Sequence, residues 1–497
     1  MKSTPIDYVL GIDIGTGSCK GLAINLRGEK LADSNSFYSI RNNQPGFAEQ
    51  DPEVIWSAFE NCIKNILSKM KHAPISVSFS SAMHGVMLIS KENKPLTPLI
   101  IWADKRSEDI ATALRKKEIS KKIYTATGTP IYSMTPLCKI MWFKKNDPKL
   151  FKKTARFVSI KEFIWFRLFN EWQVDTSIAS ATGLFNIHTF KWNKPSLELC
   201  GISPSQLSEI VPTVFTRSDL SKDAAHFLNI TKEIAFCIGA NDGCLANLGS
   251  FVLKKGEAAL TIGTSGAVRV TGPKPIADFN SMLFNYILDE STYITGGPVN
   301  NGGIVIKWLF KTFLNIESPG IEDYENLFKK ITTVPPGSNG LIFLPYLLGE
   351  RAPIWDAKAS ALFFGIHYRH TQNHFLRAAV EGVCFAIKDI LQPIEKKSGI
   401  IRQLNISGGF INSPVWLQIM ADITCKKLCL IEKDDASALG AAMLAMKQLK
   451  LIKNYQELKP KTKFTISPHK KNAEIYEFNF AIYKQLYGSL QKKMDAE

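Results

Sequence analysis

An apolar strand that ends on a single carboxylate and turns back through glycine fills residues 10–26, and no other stretch limits the fold as much. The first apolar run stops at Asp13. The turn Gly15-Thr16-Gly17-Ser18 follows, and a second apolar run returns. This pattern predicts a β-hairpin. Gly15 and Gly17 let backbone N–H groups approach an anion, because no Cβ intervenes. Thr16 and Ser18 add hydroxyls, and Asp13 stands where a carboxylate could hold a cation beside that anion. An oxyanion cradle next to a carboxylate suits a metal-bound nucleotide phosphate. A plain hairpin with a solvated Asp accounts for the same residues without chemistry.

The stretch has a second copy. Residues 258–270 again run strand, Gly263-Thr264-Ser265-Gly266 turn, strand, and the two Ile-Gly-Thr triplets begin 248 residues apart, at Ile14 and Ile262. Half of a 497-residue chain separates them. A duplicated domain follows, with a nucleotide held between the copies and closure of one half on the other. Thr261 stands where Asp13 stood, so only the first half would handle a metal. The expected domains are residues 1–249 and 250–497.

A chain of 497 residues is too long for one core. Its net charge of +16 would suit nucleic acid, a membrane surface or small anionic substrates. The basic residues are spread along the chain, however. Their densest region, 447–471, is interleaved with Leu, Ile and Tyr and lacks the aromatic–basic pattern of RNA-binding modules. No nucleic acid is therefore expected as a partner. No apolar run approaches membrane-spanning length, and Asp7 and Asp13 interrupt any leader-like segment, so no membrane is expected either. Nine scattered cysteines without a Cys-x-x-Cys pair fit reduced thiols in a cytoplasmic protein.

Strands and helices alternate along the chain, which predicts an α/β fold. A third strand follows over 29–37. Asp51-Pro52 caps a helix with an apolar stripe at Val54, Ile55, Ala58, Phe59, Cys62, Ile63, Ile66 and Leu67. Strand 75–80 ends at Met83-His84-Gly85, 86–90 is expected to pair back, and 99–102 is another strand. Strand 234–238 runs into Asn241-Asp242-Gly243 before a helix at 245–251. In the second half, Gly302-Gly303 opens a helix at 304–313, and strand 403–407 leads to Gly408-Gly409 before a helix at 414–424. A last helix is expected over 436–449.

Several of these strand ends carry chemistry. Asp242 lies where α/β sheets bind ligands and could take a proton from a hydroxyl, or serve only as an Asx turn or helix cap. His84 could bond a polyol or be a satisfied structural histidine. Trp102 with Asp104 suits a polyol, or is a buried Trp beside an Asp–Arg pair. Gly408-Gly409 permits close approach of backbone to phosphate or ribose. His367, His370 and His374 have helical spacing but no acidic or Cys ligand completes them, so no zinc site is expected. No G-x-x-x-x-G-K-[ST] and no strand-linked G-x-G-x-x-G occurs, which argues against P-loop and dinucleotide folds.

Asp13, the doubled Gly-Thr hairpin, Asp242 and Gly408-Gly409 together resemble the FGGY carbohydrate kinases of the actin/Hsp70/hexokinase superfamily. The run from Met134 through Pro136, Lys139 and Trp142 to Asn146 resembles one family signature. The run from Ala361 through Gly365, His374 and Phe375 to Glu381 resembles the other. The likeness extends from residue 8 to about 445. It implies two ribonuclease-H-like α/β domains with a cleft between them, ATP and Mg²⁺, and phosphorylation of a terminal hydroxyl of a sugar or sugar acid. By position it implies Asp13 for the metal and Asp242 as base. It implies Thr16, Gly263, Thr264, Gly303, Gly408, Gly409 and Ser413 for the nucleotide, and Met83, His84, Trp102 and Asp104 for the sugar. Gly243, where glycerol kinases carry Gln, argues against glycerol. Segments 128–136, 159–164 and 177–186 resemble the gluconokinase branch, so D-gluconate is the expected substrate, with Arg106 and Lys161 as candidates for its carboxylate. D-Xylulose is the alternative, and a catalytically inactive sugar-binding regulator is a reading of a different class. A homodimer is compatible with all of these.

Overall fold

The computed structural model describes residues 6–230, 233–431 and 435–494. Two compact units emerge: Met1–Phe251 with Gly272–Ile294 and Lys433–Pro460, and Val252–Thr271 with Thr295–Glu432 and Lys461–Glu497.

The first unit is built on strands β1 (Tyr8–Ile14), β2 (Ser18–Asn25), β3 (Lys30–Phe37), β4 (Ser76–Ser81), β5 (Thr216–Arg217) and β6 (Ala235–Asn241), in the order β5–β6–β4–β1–β2–β3. The expected hairpin is β1–β2, antiparallel, with Asp13 opposite Lys20 and Ile14 opposite Cys19. β1 runs parallel to β4, and β4 runs parallel to β6. β1 and β4 are buried along their whole length because helices cover both faces of the sheet. Helix Pro52–Met70 packs on β2 and β3, and helix Ala436–Gln448 lies across β1 and β4. Asp51 caps the first of these as its sequence implies, accepting from the Glu53 amide. Trp56 joins the buried stripe, whereas Val54 falls off its edge and is 45% exposed.

Residues 86–90 do not pair back on β4, whose two edges are already filled by β1 and β6. Met87–Ile89 instead pairs with Arg156–Val158, and Leu99–Ile100 pairs with Glu49–Gln50.

The second unit repeats the plan with β7 (Glu257–Ile262), β8 (Gly266–Gly272), β9 (Thr292–Val299), β10 (Gln403–Ser407), β11 (Lys427–Ile431) and β12 (Thr462–Ile466), in the order β9–β8–β7–β10–β11–β12. The hairpin β7–β8 is antiparallel and β10 runs parallel to β7, as β4 does to β1. Helix Gln372–Ser398 is its long buried core element.

The compact units differ from a single cut at 249/250, because two later segments pack with the first. Strand Phe284–Asp289 lies against helix Thr176–Ser180, and helix Ala436–Gln448 lies against helix Asp242–Gly249. Gly440 permits the second contact, since a Cβ there would stand 2.1 Å from the Leu245 carbonyl oxygen. Among the described residues no helix is long and apolar enough to cross a membrane. All nine cysteines are free thiols, and only Cys425 is exposed.

Candidate active site

Three carboxylates gather at the strand ends of the first unit. Asp13, the last residue but one of β1, is 8% exposed and accepts a 2.6 Å hydrogen bond from the hydroxyl of Ser80 on β4. On β6 the register slips between Cys237 and Ala240. Gly239 makes the slip possible: its φ is +70° and a Cβ would meet the Phe79 carbonyl oxygen at 1.8 Å. Such bulges re-aim the residues that follow. Asn241 then caps helix Asp242–Gly249, accepting from the Cys244 amide at 2.8 Å. The cap position is thus filled by Asn241, and Asp242, half-buried, is the first helical residue. The third carboxylate is Asp435, which caps helix Ala436–Gln448 through the Ser437 and Ala438 amides and receives Lys20 Nζ at 2.8 Å.

Burial, then the charges of Asp435 and Asp242, push the Asp13 carboxyl up to about 7, while Ser80 and Lys20 pull the other way. A buried carboxyl facing like charges is a site short of a cation. Asp13 therefore fits a divalent metal. Among the described residues no group of three or more His, Cys, Asp or Glu is arranged to hold one unaided. An ion at Asp13 would draw its other oxygens from water and phosphate, as Mg²⁺ commonly does.

Beside this cluster, Gly15, Thr16, Gln50, Met83, Gly85 and Trp102 line one small recess. Thr16 is held twice: Trp102 Nε1 donates to its hydroxyl at 3.0 Å, and Gln50 Nε2 to its carbonyl at 2.6 Å. His84 adopts φ +66°, the left-handed region that a β-carbon disfavours. Its ring is engaged on both sides, Nδ1 with the Ala181 carbonyl at 2.7 Å and Nε2 with the Tyr286 hydroxyl at 2.9 Å. Both ring nitrogens are thus engaged within the protein, and the residues on either side of His84, Met83 and Gly85, line the recess.

Three further residues expected at the substrate have partners within the protein. Asp104 is 1% exposed and accepts from the Ala48 amide, the Arg106 amide and the Arg106 guanidinium, using both oxygens. Arg106 also bonds Glu49 and sits 3.9 Å over the Phe47 ring. Lys161 is buried, 2.7 Å from Asp175 and 3.1 Å from the Ala240 carbonyl. Burial pushes its pKa down and Asp175 pulls it back. Breaking a buried ion pair leaves an uncompensated charge. Asp104, Arg106 and Lys161 are thus each engaged by partners within the protein.

In the second unit a cavity of about 720 Å³ gathers Gly263, Thr264, Gly303, Gly409 and Ser413 on its wall. Two glycines are required by contact, Gly303 on the wall and Gly408 just before Gly409. A Cβ on Gly303 would stand 2.7 Å from the Gly263 carbonyl oxygen. One on Gly408, at φ +97°, would stand 2.3 Å from that of Ile262. Ser413 caps helix Pro414–Thr424, accepting from the Trp416 amide at 3.2 Å. The apolar walls, chiefly Tyr324, Phe328 and Trp416, were not indicated by any sequence pattern. An apolar slot bounded by glycine turns suits a planar base with its ribose and phosphates. Thr16 belongs to the first unit and is not on this wall.

Residues 8–249 match the N-terminal domain, and residues 258–449 the C-terminal domain, of the FGGY family of carbohydrate kinases. The chain belongs to that family. Among FGGY kinases, the gluconokinase of Bacillus subtilis (strain 168) is 40% identical over 446 residues, 88% of this chain and 87% of its own length. The crystal structure of gluconate kinase from Lactobacillus acidophilus superposes with TM-score 0.92 at 31% identity, covering 98% of both chains. That of ligand-bound xylulose kinase from the same organism superposes with TM-score 0.93 at 31% identity, covering 98% of this chain and 99% of its own. The protein is accordingly a two-domain carbohydrate kinase with ATP as its phosphoryl donor.

Two FGGY-site features escaped the sequence reading: the Asp435–Lys20 pair and the Gln50 hold on Thr16. Asp435 had a signal, a carboxylate directly before a helix of small residues, which marks a cap. Gln50 had none.

Proposed function

We propose that this FGGY kinase is a gluconokinase, transferring the γ-phosphoryl group of ATP to the 6-hydroxyl of D-gluconate. The observation that carries this reading is the 40% identity to a gluconokinase over 88% of the chain, against 29% to a xylulose kinase over 97% of it.

Asp242 is the residue we assign as base. It takes the proton from the 6-hydroxyl as that oxygen attacks the γ-phosphorus; the bond to the bridging oxygen breaks and ADP leaves. Asp13 is assigned to Mg²⁺, which when bound would balance the charge spreading over the phosphoryl oxygens. Gly263, Thr264, Gly303, Gly408, Gly409 and Ser413 are assigned to the nucleotide, and the Thr16 turn to its phosphates. Met83, Trp102 and the His84 backbone are assigned to the sugar. Free thiols throughout the chain support a reducing, cytoplasmic setting.

The test is kcat/KM for D-gluconate, D-xylulose, glycerol and L-ribulose under one condition, coupled to ADP release. Gluconate should lead. A lead for D-xylulose would replace the substrate and keep the kinase, and no turnover with any sugar would favour the inactive regulator.

A further inference from the structure

Lys139 lies in helix Pro136–Asn146 and is 0% exposed. Among the described residues its ammonium pairs with no carboxylate. It donates to three backbone carbonyls instead: His84 at 2.8 Å, Ile101 at 2.7 Å and Ile100 at 3.2 Å. Three donors are what a lysine ammonium has. The carbonyls belong to two separate segments. One is the turn that carries Met83 and the left-handed His84; the other is the strand end that runs into Trp102.

Burying an ammonium without an ion partner is costly, and an apolar side chain of similar length would fill the space more cheaply. The charged groups that face it are Asp104, which attracts it, and Arg106, which repels it. The thiol of Cys138 also faces it, pushed up to about 11 by burial. Burial pushes Lys139 itself down to about 7. A residue kept at that cost earns attention for what it holds together.

We propose that Lys139 is a positioning residue for the sugar, tying the His84 turn to the Ile100 and Ile101 backbone so that Met83 and Trp102 keep the geometry the substrate needs. This rests on the reading above that those residues face the sugar. Binding sites gain precision when supporting hydrogen bonds lock their contacts in place.

The test is a pair of variants read by KM. Lys139→Met keeps the length and removes the donors. It should raise the KM for gluconate roughly ten- to a hundredfold, the scale of lost hydrogen bonds to a charged group. The KM for ATP should stay within about twofold, and Lys139→Arg should recover part of the loss. Trp102→Ala is made in parallel. If it raises the gluconate KM while a folded Lys139→Met does not, the positioning role is overturned and the sugar-site reading stands. If neither moves it, both fall. Should Lys139→Met not fold, Lys139→Gln, which is shorter but keeps two donors, carries the test: it should still raise the gluconate KM severalfold with the ATP KM unchanged, and a gluconate KM equal to the parent's overturns the proposal.

Discussion

Asp13 and Asp242 are carboxylates a few residues from strand ends, yet they call for opposite tests. Asp13 is held at about 7 in the fold, against 3.8 ordinarily. A folded pKa above the unfolded one gives stability that is full below about pH 4 and lost as pH rises through about 7. Asp13→Asn removes that loss and keeps an acceptor for Ser80. The ligand-free variant should therefore be more stable than the parent at pH 8, by on the order of 4 kcal/mol, with little difference at about pH 3.5. Thermal melts at both pH values check this. The same variant should respond weakly to magnesium in the rate assay, and a normal magnesium titration would remove Asp13 from the metal. Asp242→Asn should lower kcat by on the order of 10²–10⁴, the scale of a lost general base, with gluconate affinity reduced less. Near-native turnover would reduce Asp242 to a helix-end residue.

At the scale of elements, the first unit depends on how closely helix Ala436–Gln448 approaches its neighbours. Gly11 of β1 faces that helix, and a Cβ there would stand 1.9 Å from the Ala438 carbonyl oxygen. Backbone cannot give way as a side chain can, so Gly11→Ala should destabilise by about 3 kcal/mol. Gly17→Ala, where a Cβ meets nothing within 4 Å, should change stability by less than about 0.5 kcal/mol. Urea unfolding of the two variants makes the comparison. What could be read from sequence at this scale was local. The Gly-Thr hairpins, the Asp51-Pro52 cap and the helix after Ser413-Pro414 all lie where short-range pattern put them. The Asp104–Arg106 pair is local and was one of the readings offered, but the partners of 86–90, and the Ala48 and Glu49 contacts that complete that pair, depend on segments far away in the chain, and no spacing encodes them. A lone cation looks the same in sequence whether it awaits a ligand or already has Asp175.

The whole molecule is two compact units, and the first is assembled from three separate stretches of chain. A fragment of residues 1–249 would lack strand Phe284–Asp289 and helix Ala436–Gln448, leaving parts of β1, β4 and helix Asp242–Gly249 uncovered. We expect that fragment to show no cooperative melt and no fixed near-ultraviolet circular dichroism. A sharp two-state transition would mean that the late segments are dispensable. The duplication itself was legible because both copies keep their Gly-Thr turns. The return of two later segments was not, because close approach at Gly11 and Gly440 leaves no period in the sequence.

That returning helix sets a clock on synthesis. A ribosome delivers β1 and β4 long before residues 436–448. At about 5–20 residues per second, the interval from residue 251 to residue 448 lasts about 10–40 s. For that time the nascent chain presents bare apolar strands. Factors that shelter such strands have their longest opportunity there, and Asp435 reaches Asp13 only after that interval.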